Sequence, residues 1–482
     1  MVHAVVRRRP GAATRPVAVA ALAVASVAGV GAGGSIETTV HGSQAFVPEF
    51  VLDGYATVDP SYRLMRHLLS IEPAGTREFF DYLAANSLIE HVDVAPINVD
   101  FAKPMTKAPV KPPHIFFFVI DSLRRDYVAP FNPKVTFTPS FAALAQEGYA
   151  FQRAFTNYGG TGLSMPAIWA GSLILHKEYV LPFQPMNALE KLLTANGYRP
   201  VMSMDHITSQ IVAPTMGVDE MDQGRDELTY DLCRTIDELE AKLDTGIAER
   251  QPVFAHTRAL NLHISRLTVR VAPDPALGGF HEPYAASVRR MDSCFGDFVS
   301  YLKRTQLYDD SIVIVTADHG DALGESNRWG HNYTMFPEVV RTPLIMHVPD
   351  RLRAALTADL DAAAYSTDIT PSLYALLGYP LPATGWPLGR SLFVPAGTDT
   401  SWRRQEPVLL VSSYGPVYAV LRDNGTRLYI ADGVNARDYA YDLHAVTPVR
   451  VGVTPEMRAE NRAFIRDKVG ALASLYHFSP AH

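Results

Sequence analysis

The sequence predicts an α/β protein with a large, mostly parallel sheet flanked by helices, followed by a small C-terminal antiparallel sheet and helix. Two continuous apolar runs, at 115–120 and 312–315, are too short to cross a membrane and are typical of parallel strands buried on both faces. Helix-like and strand-like segments alternate between them, as in a parallel sheet covered on both sides. Short strand-like runs after residue 393, followed by a helical segment, predict the C-terminal sheet and helix.

Length and composition indicate a large globular chain. With 482 residues, of which 47% are hydrophobic and 19% charged, it can bury a large core and is long for one domain. The net charge of −7 gives no support for a nucleic-acid partner. The two cysteines, Cys233 and Cys294, could form one disulfide, but their spacing does not decide it.

The N-terminus has the pattern of an export signal. Arg7–Arg9 and Arg15 precede an Ala/Val-rich apolar stretch from Val17 to about Gly34. If this stretch is retained, its length of about 18 residues is just enough to anchor the chain in a bilayer. We expect an exported, extracytoplasmic protein (periplasm or cell surface), and membrane association through the N-terminus stays open. A disordered leader on a cytoplasmic protein is the alternative.

Composition shifts divide the chain into four parts. Residues 1–35 form the export signal or anchor, and residues 36–110 a helical lead that ends in the Pro/Lys-rich linker KPMTKAPVKPP. Residues 111–395 form the α/β domain that carries the chemistry. Residues 396–482 form a C-terminal α+β subdomain.

The pair Asp318–His319 follows a strand-like run directly. A carboxylate and an imidazole at the carboxyl end of a buried strand lie where open α/β sheets bind ligands, and both coordinate divalent cations. Gly320 would allow a tight backbone turn beneath the pair. The structural alternative is a helix start with Asp318 as its N-cap.

Asp121 ends the other strand-like run. If both strands belong to one parallel sheet, Asp121 and Asp318 emerge at the same edge, where two carboxylates repel each other unless a cation lies between them. As a helix cap alone, Asp121 would be unremarkable.

A glycine-rich approach, Gly159–Gly160, leads to two hydroxyl residues and a short helix predicted from Pro166. Thr161 or Ser164 would then lie near the positive end of a helix, which favours an anionic group. Such a hydroxyl could be a nucleophile if a base or a metal ion activates it. Ordinary N-capping is the alternative.

Together these segments resemble the sulfatase family of the alkaline phosphatase superfamily. The resemblance covers residues 111–482, and an ordered series of motifs is more specific than any one of them. It implies an alkaline-phosphatase-like sandwich and a hydrolase or transferase. After the strand ending in Asp121, the matching segments are TPSFAALAQEGYAFQRAFTN from Thr138, the hydroxyl segment, TADHGDALGE, GHN at Gly330 to Asn332, RTPLIMHVP from Arg341, STDITPSLYALLGYP from Ser366, GRSL at Gly389 and AYDLHAVTP at Ala440.

The hydroxyl segment departs from the sulfatase pattern. Sulfatases open a CxPxR-type motif with a Cys or Ser that becomes formylglycine, and here Ile168 stands where the motif's Arg belongs. Aligned instead on Thr161, Ser164 and Pro166, the segment looks like that of phosphoethanolamine and phosphoglycerol transferases, with Thr161 as nucleophile. Their multi-helix membrane domain has no counterpart in this sequence.

Carried over by residue, the resemblance assigns the site. Asp121, Thr161, Asp318 and His319 would hold one divalent metal ion, whether Mn²⁺, Mg²⁺, Ca²⁺ or Zn²⁺. His331 and His263 would contact the substrate and protonate the leaving group, and Ser164 would also contact substrate. Further candidates are His256, as a substitute for His263, and Asp205 with His206, as supporting residues.

Three functions are consistent with these residues. The first is a metal-dependent phosphoester hydrolase or transferase that uses Thr161 and a covalent intermediate. The second is a sulfuric ester hydrolase without the usual formylglycine motif, and the third an inactive metal-stabilised binding protein. The expected substrate is a small-molecule, glycan or lipid-linked anionic ester.

Overall fold

The structure is a computed structural model that describes residues 76–87, 96–175, 181–263, 274, 277–381 and 385–478. The helices in these residues are α1 Thr76–Ala85, α2 Pro139–Glu147, α3 Thr161–Ala170, α4 Ala188–Ala195, α5 His206–Ile211, α6 Leu232–Leu243, α7 Ile247–Arg250, α8 Glu282–Arg304, α9 Pro337–Val340, α10 Asp350–Arg353, α11 Ile369–Leu376 and α12 Pro455–Leu475. The strands are β1 His114–Ile120, β2 Tyr149–Ala150, β3 Arg153–Phe155, β4 Arg199–Ser203, β5 Asp219–Met221, β6 Val253–Ala259, β7 Ser311–Thr316, β8 Ala322–Leu323, β9 Trp329–Gly330, β10 Leu344–His347, β11 Leu356–Ala358, β12 Ala363–Tyr365, β13 Phe393–Pro395, β14 Val408–Val411, β15 Val417–Arg422, β16 Arg427–Asp432, β17 Arg437–Asp442 and β18 Val449–Val451.

The main sheet has seven strands in the order β2-β10-β7-β1-β6-β4-β5. Strand β1 lies at its centre and pairs in parallel with β6 on one side and β7 on the other. Strands β4 and β5 continue the parallel part, whereas β10 and β2 form an antiparallel edge. This arrangement confirms the predicted mostly parallel sheet and the strand assignments at 115–120 and 312–315.

Strand β1 is buried along its whole length because both faces of the sheet are covered. Its odd-numbered side chains from Ile115 to Val119 pack in one apolar core with α3, α4 and α11. Its even-numbered side chains from Phe116 to Ile120 pack in a second core with α2, α6 and α8. The continuous apolar run therefore reflects two cores rather than one.

The C-terminal part confirms the predicted antiparallel sheet and closing helix. Strands β14 to β18 pair in sequence order, each antiparallel to the next. One face of this sheet packs on α12 through Ile465 and Val469, and on α1 through Phe79 and Phe80. The helical lead thus belongs, at 76–85, to the packing of the C-terminal sheet.

Cys233 and Cys294 form a disulfide, which decides the pairing that the spacing left open. The bond joins α6 to α8, two neighbouring helices on the same side of the main sheet. It therefore cross-links the chain across a sequence separation of 61 residues within one helical layer.

The predicted export signal or anchor at 1–35 lies outside the described residues, as does the remainder of the lead up to residue 75. Within the ranges that the structure describes, every helix is too short or too polar to span a membrane.

Candidate active site

The carboxyl ends of β1 and β7 bring Asp121 and Asp318 together. The two strands are parallel neighbours whose register pairs Val119 with Thr316, so both chains leave the sheet at the same edge. Asp318 does not begin a helix. Its Oδ1 accepts hydrogen bonds from the backbone N–H groups of Ser122 (3.3 Å) and His319 (2.9 Å), which holds the carboxylate between the two strand ends.

Helix α3 begins at Thr161, so the prediction that this helix starts at Pro166 is wrong. The Ser164 N–H donates to the Gly160 carbonyl (3.1 Å), which closes a helical turn ahead of the proline. Pro166 occupies the helix interior, where its ring fixes a φ that suits a helix although one N–H is lost. Thr161 is therefore the first helical residue, at the positive end of the helix dipole.

The hydroxyl of Thr161 meets the strand-end residues directly. Thr161 Oγ1 lies 2.6 Å from Asp318 Oδ2, its nearest acceptor. It also lies 3.3 Å from Asp121 Oδ2 and 3.3 Å from His319 Nε2. Residues 121, 161, 318 and 319, which are separated by up to about two hundred positions, thus converge on one point, as predicted.

This group of residues fits a divalent cation. One ligand atom from each of Asp121, Asp318 and His319 lies within 4.8 Å of the others, and all three side chains are buried. His319 Nδ1 donates to the Gly320 carbonyl (2.8 Å), because a carbonyl can only accept, and this leaves the Nε2 lone pair directed at the group. Two carboxylates and an imidazole are suitable ligands for several divalent metals, so the donors do not identify the ion.

Electrostatics in the cluster support the same interpretation. Burial and the charge of Asp121 raise the pKa of Asp318 to about 6. Burial also opposes ionisation of Asp121, but Arg258 and the neighbouring histidines hold the pKa of Asp121 below its usual value. Burial and nearby His331 lower the pKa of His319 to about 3, so its imidazole is neutral. Crowded buried carboxylates beside a neutral imidazole are stabilised by a bound cation.

The two predicted substrate-side histidines lie beside this cluster. The His331 ring centroid is 4.0 Å from that of His319 and 5.6 Å from that of His263. His331 Nδ1 lies 3.1 Å from Asp321 Oδ1. Burial lowers the pKa of His331, but Asp321 outweighs this effect and raises it. Both histidines therefore lie close to the cluster around Thr161.

The other candidates lie elsewhere or act indirectly. Ser164 is fully buried, and its hydroxyl has no hydrogen-bond partner among the described residues. His256 is buried against Phe117 and Trp169, away from the cluster, and does not substitute for His263. His206 pairs with Glu227 at the surface.

Arg258 is the principal residue that sequence reasoning missed. Its Nη2 lies 2.8 Å from Asp121 Oδ2 and 3.3 Å from Thr161 Oγ1, and its Nη1 forms an ion pair with Asp205. Asp205, also a candidate from the sequence, therefore contacts the site through Arg258. A lone arginine within a buried strand matches no motif. The register that pairs Arg258 with Val119 of β1 places it near the strand end.

Tyr414 was also missed. It lies in the loop between β14 and β15 of the C-terminal sheet, and its hydroxyl is 3.4 Å from His331 Nε2. Burial and the two carboxylates of Asp121 and Asp318 raise the pKa of Tyr414 to about 12, so its hydroxyl keeps its proton. No local pattern indicates that this loop reaches the main domain.

Comparisons with known proteins agree with this architecture. Residues 113–379, more than half of the chain, match the family model described as Sulfatase. The choline-sulfatase of Rhizobium meliloti (strain 1021) is 31% identical over 156 residues, which make up 31% of this chain and 28% of that protein. The match thus spans less than a third of the length of this relative.

Two solved structures show the same fold. A protein in the alkaline phosphatase superfamily from Vibrio parahaemolyticus superposes with a TM-score of 0.54 at 14% identity, covering 85% of this chain and 98% of that one. The lipoteichoic acid synthase LtaP from Listeria monocytogenes gives a TM-score of 0.53 at 14% identity, covering 80% and 97%. At such identities the likeness concerns the fold, and it confirms the predicted alkaline-phosphatase-like architecture.

Proposed function

Because this chain belongs to the Sulfatase family, we propose that it is a metal-dependent hydrolase or transferase of phosphate esters with Thr161 as nucleophile. The observation that carries this proposal is the position of Thr161 Oγ1, which lies within 2.6 to 3.3 Å of Asp121, Asp318 and His319. The hydroxyl of Ser164, the alternative candidate, has no hydrogen-bond partner among the residues that the structure describes. A small-molecule, glycan or lipid-linked anionic ester would be the substrate.

Asp121, Asp318, His319 and Thr161 would hold one divalent cation, which supplies charge neutralisation and a lower hydroxyl pKa. The Thr161 oxygen then bonds to phosphorus and releases its proton to solvent, while the bond from phosphorus to the leaving oxygen breaks. His263 or His331 donates a proton to that leaving oxygen. Water or a second alcohol next attacks the phospho-threonine and returns Thr161 to its hydroxyl form.

The test compares Thr161→Ala with Ser164→Ala. Turnover of p-nitrophenyl phosphate, a phosphodiester and p-nitrophenyl sulfate is measured with Mn²⁺, Mg²⁺, Ca²⁺ and Zn²⁺. We expect Thr161→Ala to lose about a thousandfold or more in kcat, because the covalent route is removed, and Ser164→Ala to stay within about tenfold. Mass spectrometry of quenched wild-type protein should find one phosphoryl group on the peptide containing Thr161.

Near-native turnover by Thr161→Ala would contradict the assignment, and loss of activity in Ser164→Ala alone would move the nucleophile to Ser164. Both variants are first compared by thermal unfolding, so that a folding defect is not mistaken for a chemical one.

A second candidate is a sulfuric ester hydrolase that works without formylglycine. It is favoured by the similarity to a choline-sulfatase. Turnover of p-nitrophenyl sulfate in preference to both phosphate esters would select this activity. Absence of turnover for every substrate with every metal would favour the third alternative, a metal-stabilised binding protein.

We further propose that the chain is exported and works outside the cytoplasm, with membrane association through its N-terminal segment left to experiment. Support comes from the charged and apolar pattern of residues 1–35 and from the Cys233–Cys294 disulfide, since such bonds persist mainly in oxidising compartments.

A further inference from the structure

We propose that Arg258 is a catalytic residue that donates a hydrogen bond to the Thr161 oxygen as negative charge develops there, and that Asp205 holds Arg258 in position for this task. This inference rests on the proposed function, since it assumes that Thr161 is the nucleophile. It adds a residue that none of the recognised motifs contains.

Arg258 is placed by the sheet. Its neighbour in the register of β1 and β6 is Val119, two residues before Asp121, so its side chain emerges beside the end of β1. The residue is only 5% exposed, and its Nη2 approaches both Asp121 Oδ2 (2.8 Å) and Thr161 Oγ1 (3.3 Å). A planar guanidinium can serve both oxygens at once, which a lysine ammonium at the end of a flexible chain does not do as well.

Asp205 fixes the other edge of the guanidinium. It is 2% exposed and forms an ion pair with Arg258 Nη1. Its Oδ1 accepts a hydrogen bond from the Thr208 N–H (2.6 Å), as the N-cap of α5. Because one carboxylate oxygen is tied to the helix and the other to Arg258, the arginine has little freedom to leave Thr161. His206, the adjacent sequence candidate, has no part in this arrangement.

Charge develops on Thr161 Oγ1 twice in the cycle. In the first half the oxygen loses its proton to solvent and bonds to phosphorus, and the leaving oxygen keeps the electron pair of the broken bond and takes a proton from histidine. In the second half water bonds to phosphorus and gives a proton to that histidine, while Oγ1 keeps the pair of the broken phosphorus bond and regains a proton from solvent. A donor already oriented toward Oγ1 stabilises both transition states.

The experiment measures kcat, KM and metal dependence for Arg258→Met, Arg258→Lys and Asp205→Asn in the full-length protein, with p-nitrophenyl phosphate. We expect Arg258→Met to lower kcat by about 10²- to 10³-fold with KM changed much less, as for removal of one oxyanion donor. Arg258→Lys should restore part of that loss. Asp205→Asn keeps an oxygen that can cap α5 and should cost about 10- to 100-fold.

A double-mutant cycle tests the positioning role. If Asp205 acts through Arg258, the double variant Arg258→Met/Asp205→Asn should match Arg258→Met within about twofold, rather than show the product of the two losses. Additive losses would overturn the assignment of Asp205 as a positioning residue.

Asp368→Asn is the matched control. It breaks another buried ion pair, Asp368 with Arg403 (2.6 Å), whose side-chain hydrogen bonds within the described residues go to the backbone of residues 365, 390 and 391 rather than to the cluster around Thr161. It should lower the unfolding temperature but leave kcat per folded molecule unchanged. An equal loss of kcat in this control would mean that breaking any buried pair inactivates the protein, which would overturn the specific role of Arg258.

Metal titration separates catalysis from a mere influence on the metal ligand Asp121. Arg258→Met removes a positively charged side chain beside Asp121, which should not weaken metal binding. The concentration of Mn²⁺ that gives half-maximal activity should therefore stay constant or fall. Recovery of wild-type kcat at high Mn²⁺ would overturn the catalytic role. If Arg258→Met keeps the wild-type kcat while Thr161→Ala is inactive, the catalytic role of Arg258 is rejected and the proposed function stands. If Thr161→Ala is itself active, the proposed function is rejected.

Discussion

At the scale of single residues, His256 shows how a histidine in a promising strand can be part of the core. Its ring is fully buried against Phe117, Phe254 and Trp169, and neither ring nitrogen has a hydrogen-bond partner among the described residues. Burial lowers the pKa of His256 to about 3. The side chain therefore behaves as a neutral aromatic group, and its charged form is excluded from the fold.

His256 should make stability fall with acid. The unfolded chain binds the proton near pH 6.5, whereas the folded chain binds it only near pH 3, so the unfolded state holds more protons between these values and stability decreases as the pH falls through this window. Between pH 8 and pH 5 this amounts to about 2 kcal/mol. The free energy of unfolding is measured in urea at pH 8 and at pH 5. Between these values it should decrease less for His256→Phe than for the wild type, by about that amount.

His444→Gln, which replaces an exposed histidine, is the control and should leave the loss between pH 8 and pH 5 as it is in the wild type. If His256→Phe retains the full loss of stability at pH 5, His256 is not the source of the acid sensitivity.

At the scale of elements, the site depends on how closely the start of α3 approaches the β14–β15 loop. A Cβ on Gly160 would lie 2.5 Å from Tyr414 Cε2 and 2.9 Å from Ser413 Cβ. The Ser413 hydroxyl also donates to the Gly160 carbonyl (2.6 Å). We anticipated glycine here for a sharp turn, but its φ of 169° is extended backbone, so the requirement is space between two elements.

Gly320 follows the same principle. We expected a glycine after His319 because it would permit a tight turn. The φ of Gly320 lies outside the left-handed region, so a turn is not the reason for glycine at this position. A Cβ at Gly320 would lie 2.1 Å from the Glu338 carbonyl oxygen, so the absence of a side chain lets the strand-end segment pass close to α9.

Gly160→Ala should therefore lower activity. The new methyl group must displace either Tyr414, which contacts His331, or the first turn of α3, which carries Thr161. Such overpacking costs about 1–3 kcal/mol, and we expect kcat to fall about tenfold or more with a modest decrease in unfolding temperature. Gly385→Ala is the control, because a Cβ there meets nothing within 4 Å. Unchanged kcat and stability in Gly160→Ala would show that the two elements move apart freely.

At the scale of the whole molecule, the disulfide and helix α3, which carries Thr161, lie on opposite sides of the main sheet. Cys233 and Cys294 join helices that pack in the core with α2, whereas α3 packs in the other core. A variant that lacks the disulfide should therefore lose stability without losing catalytic activity.

Cys233→Ser/Cys294→Ser should lose stability and keep its activity. For a sequence separation of 61, the chain-entropy model gives a loss of about 4 kcal/mol. Urea unfolding measures this loss, and kcat at 25 °C should be within about twofold of wild type. Dithiothreitol should destabilise the wild type but not the variant. Equal destabilisation of both proteins by dithiothreitol would contradict the presence of the Cys233–Cys294 disulfide.

Much of the fold was predictable because local composition reports local environment. The uninterrupted apolar runs of β1 and β7 could only be buried on both faces, and the order of motifs along the chain resembled one family. The ligand candidates Asp121, Asp318 and His319 were predictable too, since polar residues directly after buried strands mark the sheet edge where ligands bind.

The rest depended on tertiary structure. The amino-acid sequence alone determined the α/β architecture, the strand-end carboxylates and the two candidate hydroxyl side chains. Only the packed structure placed Thr161 rather than Ser164 against those carboxylates, set Arg258 and Asp205 beside it, and brought Tyr414 from the C-terminal sheet to His331. These are contacts between residues distant in sequence, and they follow from strand register and the approach of elements, which no local pattern encodes.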